Sequence, residues 1–149
     1  IKLLGGSSLK TSSYSFGVRS FGVHIAYNAA TNANDIAFVE PSVSFDKVKG
    51  IIAAGRSLAE PPIGSNCFTL GWGWTDPVKR TLSDKLLLAD YTIVSEASCT
   101  TTIPGYTKTG TTLCGMPVVG KGTACNGDSG GPLVCIVGGK GLLHGIVSA

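Results

Sequence analysis

Short apolar runs separated by turn residues recur along the whole chain, at positions 21–25, 36–39, 48–52, 68–72, 86–94, 133–137 and 142–147. Each is too short for an amphipathic helix and draws on Val, Ile, Leu, Phe or Thr, so each is predicted to be a β-strand. Turn chemistry punctuates them. Gly5-Gly6-Ser7-Ser8, Glu60-Pro61-Pro62, Thr75-Asp76-Pro77, Pro104-Gly105 and Gly138-Gly139 supply the left-handed or proline-fixed backbone that tight turns need. One segment departs from this pattern: residues 94–99 carry a serine able to cap a following turn, which predicts a short helix there. No long segment keeps a helical apolar period, and 21 glycines suit many short strands joined by tight turns. The chain reads as all-β.

Composition narrows the partners. Charged residues make up 14% of the chain and the formal net charge is +3, with no basic run matched to a phosphate backbone, so nucleic acid is not an expected partner. No apolar stretch reaches the roughly 18 residues that would span a bilayer, so no membrane segment is expected. The first residues do not read as a secretory leader, and a secreted protein of this sequence would carry its leader upstream of Ile1. Five cysteines cannot all pair within the chain, and sequence alone leaves their connectivity open. No Cys-x-x-Cys and no Cys/His pair at zinc spacing occurs, so no metal is expected. Reduced buried cysteines are the alternative to disulfides, and disulfides would imply an oxidising, extracellular setting.

The strongest chemical signal lies at residues 126–133, Asn-Gly-Asp-Ser-Gly-Gly-Pro-Leu. A serine hydroxyl is a poor nucleophile at neutral pH and needs a base beside it and donors where charge develops on the attacked carbonyl. Gly127, Gly130 and Gly131 lack Cβ atoms, so the backbone can turn tightly and bring the N–H groups of Gly127 and Ser129 to one oxyanion. A glycine-rich turn between strands is the plainer reading of the same residues.

That octet, with Thr112-Leu113-Cys114-Gly115 before it and Gly145-Ile146-Val147-Ser148 after it, resembles the trypsin and chymotrypsin family of serine proteases. Asn34-Asp35-Ile36-Ala37 is similar to the segment that holds the family's catalytic aspartate, and Cys67 with Gly71-Trp72-Gly73 is similar to the start of its second barrel. The resemblance covers nearly the whole chain. It implies a double six-stranded antiparallel β-barrel of Greek-key topology, incomplete in this sequence. Residues 1–50 would form the latter part of the first barrel, 51–66 the connection and 67–149 most of the second, with the active site at the seam. By the same resemblance Ser129 is the nucleophile, Asp35 orients a catalytic histidine, and Gly127 with Ser129 holds the oxyanion. The family pattern also pairs Cys67 with Cys135 and Cys99 with Cys114. Cys125 is then left over, its family partner lying past the present end.

The family's histidine sits in an Ala-Ala-His-Cys stretch some tens of residues before the aspartate, and nothing ahead of Asp35 matches it. The two histidines present, His24 and His144, read as a surface residue near a tyrosine and as a side chain on an apolar strand, so neither is the expected base. Barrel proteins of this kind run to roughly 200–250 residues, which makes an internal fragment the expectation for 149 residues. After Ser148 the family strand continues through a tryptophan, where this chain has Ala149. Ile1 is followed by Lys-Leu-Leu and not Val-Gly-Gly, so it does not match the family's activated amino terminus. Asp128 is therefore expected to be without its ammonium partner, as in a disordered zymogen.

Thr123 stands where the family places the residue at the base of the primary specificity pocket. Being neutral, it suggests an apolar or aromatic side chain in the manner of chymotrypsin, or a small one in the manner of elastase. Ser148 is expected to offer backbone groups to an extended substrate strand. Residues 1–34 contain no Asp or Glu, so the calcium loop of some relatives cannot form there. No cofactor is expected. The reading is a secreted, monomeric endopeptidase that acts through an acyl-enzyme on Ser129, with protein or peptide substrates and protein protease inhibitors as its partners. The alternative is a non-catalytic homologue that keeps the fold as a binding or regulatory protein. A structural glycine-rich β protein explains neither the octet nor the ordered matches.

Overall fold

The structure, a computed structural model, describes residues 1–107 and 109–148; Ala149 lies outside them. The strands are β1 (Leu3–Gly5), β2 (Tyr14–Phe16), β3 (Val18–Val23), β4 (Ala37–Pro41), β5 (Asn66–Gly71), β6 (Trp74–Asp76), β7 (Thr81–Leu82) and β8 (Leu87–Val94). A single short helix follows, α1 (Glu96–Thr102), and then β9 (Cys114–Pro117), β10 (Pro132–Val137) and β11 (Lys140–Ile146). The molecule is mostly strand, as the apolar pattern implies.

The main body is a five-stranded antiparallel sheet in the order β11-β10-β5-β8-β9. Its alternating pattern explains its core. On β5, Cys67 and Thr69 turn inward at 3% exposure, and on β8 Ala89 and Ile93 do the same at 8% and 3%, two and four residues apart, the even spacing that the pleat requires. Cys67 lies directly opposite Cys135 of β10 and opposite Tyr91 of β8, so the Cys67–Cys135 disulfide sits in the middle of the sheet. Cys67, Cys135 and Ile93, with Leu133 packed against them, form the buried cluster. The β10–β11 hairpin turns on Gly138 and Gly139, at φ +57° and +76°, the two successive left-handed residues of a type I′ turn. That turn fixes Val137 opposite Lys140.

The remaining strands pair as three two-stranded ribbons, β1-β2, β3-β4 and β6-β7. Among the described residues no sheet closes into a barrel. The β3–β4 ribbon leaves Phe21 and Phe38 each 63% exposed, with Val23 at 59%. The strand predicted at 48–52 does not form. Gly50 adopts φ +88°, which breaks an extended run, and the preceding Phe45–Lys47 is a 3-10 turn. The helix is present and slightly later than its cap: Ser95 takes extended angles and its side chain accepts from the Ser98 N–H at 3.2 Å, which satisfies one orphan donor of the first turn. The Cys99–Cys114 disulfide then ties α1 to β9.

Cys67 and Cys135 stand 68 residues apart in sequence, and cross-linking so long a loop restricts the unfolded chain by about 4 kcal/mol in the chain-entropy picture. Replacing both with alanine in the full-length protein should therefore lower the denaturant midpoint by the equivalent of roughly 2–5 kcal/mol. Equilibrium unfolding followed by tryptophan fluorescence measures this. A loss near that of the same double substitution at Cys99 and Cys114 would show that loop length is not what matters.

Candidate active site

Asp128 organises the loop that carries Ser129. Its Oδ1 accepts from the Gly73 N–H at 2.8 Å and its Oδ2 from the Cys125 N–H at 2.9 Å. Two backbone donors, and no ammonium group among the described residues, hold the carboxylate, because the Gly71-Trp72-Gly73 segment passes close by. A Cβ on Gly71 or Gly73 would overlap the Asp128 carboxylate, so the approach that makes these hydrogen bonds is open to glycine. Backbone bonds complete the loop, from Asp128 N–H to Cys125 O at 2.9 Å, Gly131 N–H to Asp128 O at 2.9 Å and Gly130 N–H to Val147 O at 2.7 Å. Gly127, at φ +96°, makes the turn that separates the neighbouring N–H groups. Those of Asp128, Gly130 and Gly131 are spent inside the loop, whereas those of Gly127 and Ser129 meet no acceptor among the described residues.

Asp35 meets Ser148, whose neighbour Val147 is bonded to this loop. It sits just ahead of β4, after Asn34 at φ +56°, and its Oδ2 accepts from the Ser148 hydroxyl at 2.7 Å. The Ser129 hydroxyl in turn donates to the Ser148 carbonyl at 3.5 Å, a long bond at the limit of the geometry. Ser148 thus stands between Asp35 and Ser129, its side chain toward one and its backbone toward the other. The sequence reading gave Ser148 only a backbone role. Its hydroxyl contact spans 113 residues of chain, and no local signal announces it.

The two histidines stay apart from this chain of contacts. The His24 Nδ1 accepts from the Ala26 N–H at 3.2 Å, and the His144 Nδ1 donates to the Leu142 carbonyl at 2.9 Å. Among the described residues neither hydrogen-bonds to Asp35 or Ser129. Both face a cleft of about 590 Å³, which Asp35, Ser148, Tyr91 and Ala124 also line. Ser129 and Thr123 are not part of its wall. Thr123 is instead held by Tyr91, whose hydroxyl lies 2.9 Å from Thr123 Oγ1 and accepts from the Ala124 N–H at 2.7 Å. Thr69 also lines the cleft, and its buried Oγ1 has no partner among the described residues. No group of three His, Cys, Asp or Glu among those residues could hold a metal ion, and none of the helices is long and apolar enough to cross a membrane. Cys125 is unpaired and half-buried.

Glu96, in the first turn of α1, braces another part of the cleft. Its Oε1 lies within 3.2 Å of the Tyr106 hydroxyl, the Thr112 hydroxyl and the Thr109 N–H, and 3.5 Å from the Gly110 N–H. The loop so gathered presents the Thr111 hydroxyl to the Asn34 N–H at 3.1 Å, next to Asp35. Partial burial raises the Glu96 carboxyl's affinity for a proton, but the hydrogen bonds from Tyr106, Thr109, Gly110 and Thr112 outweigh it, and the group titrates below the ordinary value of 4.5. Burial pushes the Tyr106 hydroxyl up; the hydrogen bond with Thr112 opposes this, and the bond to Glu96 and the charge there add to the rise. A depressed carboxylate stabilises the fold above its unfolded pKa and loses that contribution as pH falls through the folded value. Amide exchange at Thr109 and Gly110 should therefore quicken below the ordinary carboxylate range in the full-length protein. Glu96→Gln should show the quickened exchange at neutral pH; exchange that ignores both pH and the substitution would remove Glu96 from this role.

The comparisons with known proteins identify the family and the fold. The Trypsin family model matches residues 3–149. Submandibular glandular kallikrein-9 of Rattus norvegicus is 33% identical over 125 residues, covering 84% of this chain and 46% of the relative. Trypsin delta of Drosophila melanogaster is 33% identical over 145 residues, covering 97% of this chain and 55% of the relative. Snake venom serine protease catroxase-2 of Crotalus atrox is 42% identical over 114 residues, covering 76% and 42%. The chain thus spans about half the length of the curated relatives it matches. Among solved structures, neuropsin, a serine protease expressed in the limbic system of mouse brain, superposes with a TM-score of 0.85 at 26% identity, covering 99% of this chain and 66% of its own. The fold is the trypsin-like β fold, and the chain belongs to the trypsin family of serine proteases.

Proposed function

We propose that the full-length protein is a serine endopeptidase in which Ser129 attacks the scissile carbonyl and Asp35 orients a histidine supplied from outside this chain. The N–H groups of Gly127 and Ser129 would hold the oxyanion. The observation that carries this reading is the bridge from Asp35 through Ser148 to Ser129, beside a loop that commits the N–H groups of Asp128, Gly130 and Gly131 and leaves those of Gly127 and Ser129 without an acceptor among the described residues. Thr123 is neutral and tied to Tyr91, which supports cleavage after an apolar side chain, chymotrypsin-like or elastase-like, since a buried cationic side chain would need an opposite charge. Its substrates would be proteins or peptides, and protein protease inhibitors its natural antagonists. Disulfides and the naming of one relative as a venom protease support an extracellular enzyme.

A serine-reactive fluorophosphonate tests this. The full-length protein should label rapidly at Ser129, and the 149-residue chain only negligibly, because neither His24 nor His144 is placed to activate the hydroxyl. Rapid labelling of the 149-residue chain would move the base onto one of those two residues. No labelling of a correctly folded full-length protein would favour a non-catalytic homologue that binds and does not cleave.

A further inference from the structure

Asn126-Gly127 stands apart from the other asparagine sites. Asn28, Asn32, Asn34 and Asn66 are followed by Ala, Ala, Asp and Cys. Asn28 is further tied through its Oδ1 to the Ala30 and Thr31 N–H groups, and the Asn34 side chain donates to the Ala26 carbonyl. Asn126 and Gly127 are both exposed, and among the described residues neither the Asn126 carboxamide nor the Gly127 N–H has a hydrogen-bond partner. Gly127 carries no side chain to shield its nitrogen and already sits at φ +96°, a conformation that leaves the peptide unit open to bending. The Asn126 carbonyl accepts from the Trp74 N–H at 2.9 Å, which draws electron density from that same peptide group and makes its N–H a better acid.

We propose that Asn126-Gly127 is a self-modification site whose reaction consumes an oxyanion donor, because the nitrogen that attacks is the nitrogen that should bind the oxyanion. The inference rests on the reading of Gly127 given under Proposed function. A solvent base removes the Gly127 amide proton, the nitrogen forms a bond to the Asn126 side-chain carbonyl carbon, and the carboxamide C–N bond breaks to release ammonia. Water then opens the five-membered imide at one carbonyl or the other, giving aspartate or isoaspartate without any oxidation or reduction. Every product disturbs the same point. The imide has no N–H at Gly127; isoaspartate lengthens the main chain by one atom and displaces that N–H; aspartate restores it beside a new negative charge that opposes an oxyanion. Asparagine is thermolabile in proteins generally, and here the lesion falls on the catalytic loop, so the protease would carry a built-in limit to its working life.

The test uses the full-length protein. In a Ser129→Ala variant, which cannot digest itself, peptide mapping by mass spectrometry after incubation at mildly alkaline pH and body temperature should find Asn126 converting before every other asparagine. An imide intermediate lighter by ammonia and an isoaspartate product should both appear. Asn126→Gln, which closes a larger ring with difficulty, should not convert. In parallel, wild-type kcat should fall by on the order of 10²-fold in the converted fraction, as removal of one oxyanion donor does elsewhere, while the Asn126→Gln enzyme decays by autolysis alone. Persistent turnover over an unconverted Asn126 overturns the proposal alone, as does conversion that leaves kcat unchanged. Conversion in a protein whose fresh form turns over no peptide overturns the protease reading, and the catalytic half of the proposal with it.

Discussion

Replacing Ser129 with alanine in the full-length protein is expected to lower kcat by about 10⁶-fold, as removal of the nucleophile does in enzymes that act by the same triad chemistry. The side chain is exposed and its one hydrogen bond among the described residues is the 3.5 Å bond to the Ser148 carbonyl, so stability should move by less than about 0.5 kcal/mol. The loop should keep its form, since Asp128 with Gly73 and Cys125 holds it without help from the serine hydroxyl. Steady-state kinetics on a peptide amide, with thermal unfolding alongside, separates the two effects. Residual activity within tenfold of wild type would mean that another group is the nucleophile.

The second large effect should come from Asp35→Asn, with a fall in kcat of about 10⁴-fold and little change in KM. An amide can still accept from the Ser148 hydroxyl, which now bonds to Asp35 Oδ2 at 2.7 Å, so the residue should stay in place. What it loses is the charge that stabilises an imidazolium and the acceptor that selects the histidine tautomer. Activity should recover partly at high pH, where a base in the wrong tautomer is least hampered by protonation. A loss below tenfold, or one expressed wholly in KM, would make Asp35 an anchor for Ser148 and nothing more. Ser148→Ala distinguishes these further: it removes one hydrogen bond to a charged group, worth roughly 1.5–3 kcal/mol, and should cost far less activity than Asp35→Asn.

Different parts of this arrangement were visible in the sequence to different degrees, for physical reasons. Strands β8, β10 and β11 announce themselves because each is long and bounded by its own turn chemistry; the Gly138-Gly139 pair even sets the register of one hairpin. Ribbons β1-β2 and β6-β7 are two or three residues wide, too short to show a period. They depend on distant contacts such as the Leu86 N–H to Ser8 carbonyl at 2.7 Å and the Trp72 indole N–H to the same carbonyl at 3.0 Å. Residues 48–52 mislead because their apolar content outweighs a single glycine on paper, whereas Gly50 at φ +88° decides the backbone. The octet around Ser129 was legible because eight adjacent residues carry it. The Ser148 hydroxyl on Asp35, the Tyr91 hydroxyl on Ala124 and the Glu96 brace behind Asn34 were not, because each joins residues that are remote in the chain and ordinary in composition.

The two halves of the candidate site are held with unequal strength. Ser129 belongs to a loop laced to a five-stranded sheet with a disulfide through its centre, whereas Asp35 arrives on a two-stranded ribbon whose Phe21 and Phe38 remain largely in water. Isolated ribbons open at a small fraction of the free energy that opens a full sheet. Warming the 149-residue chain should therefore part Asp35 from Ser148 while the scaffold of Ser129 is still intact. Amide exchange across β3 and β4 would quicken some degrees before that of the main sheet, and cooling would restore it.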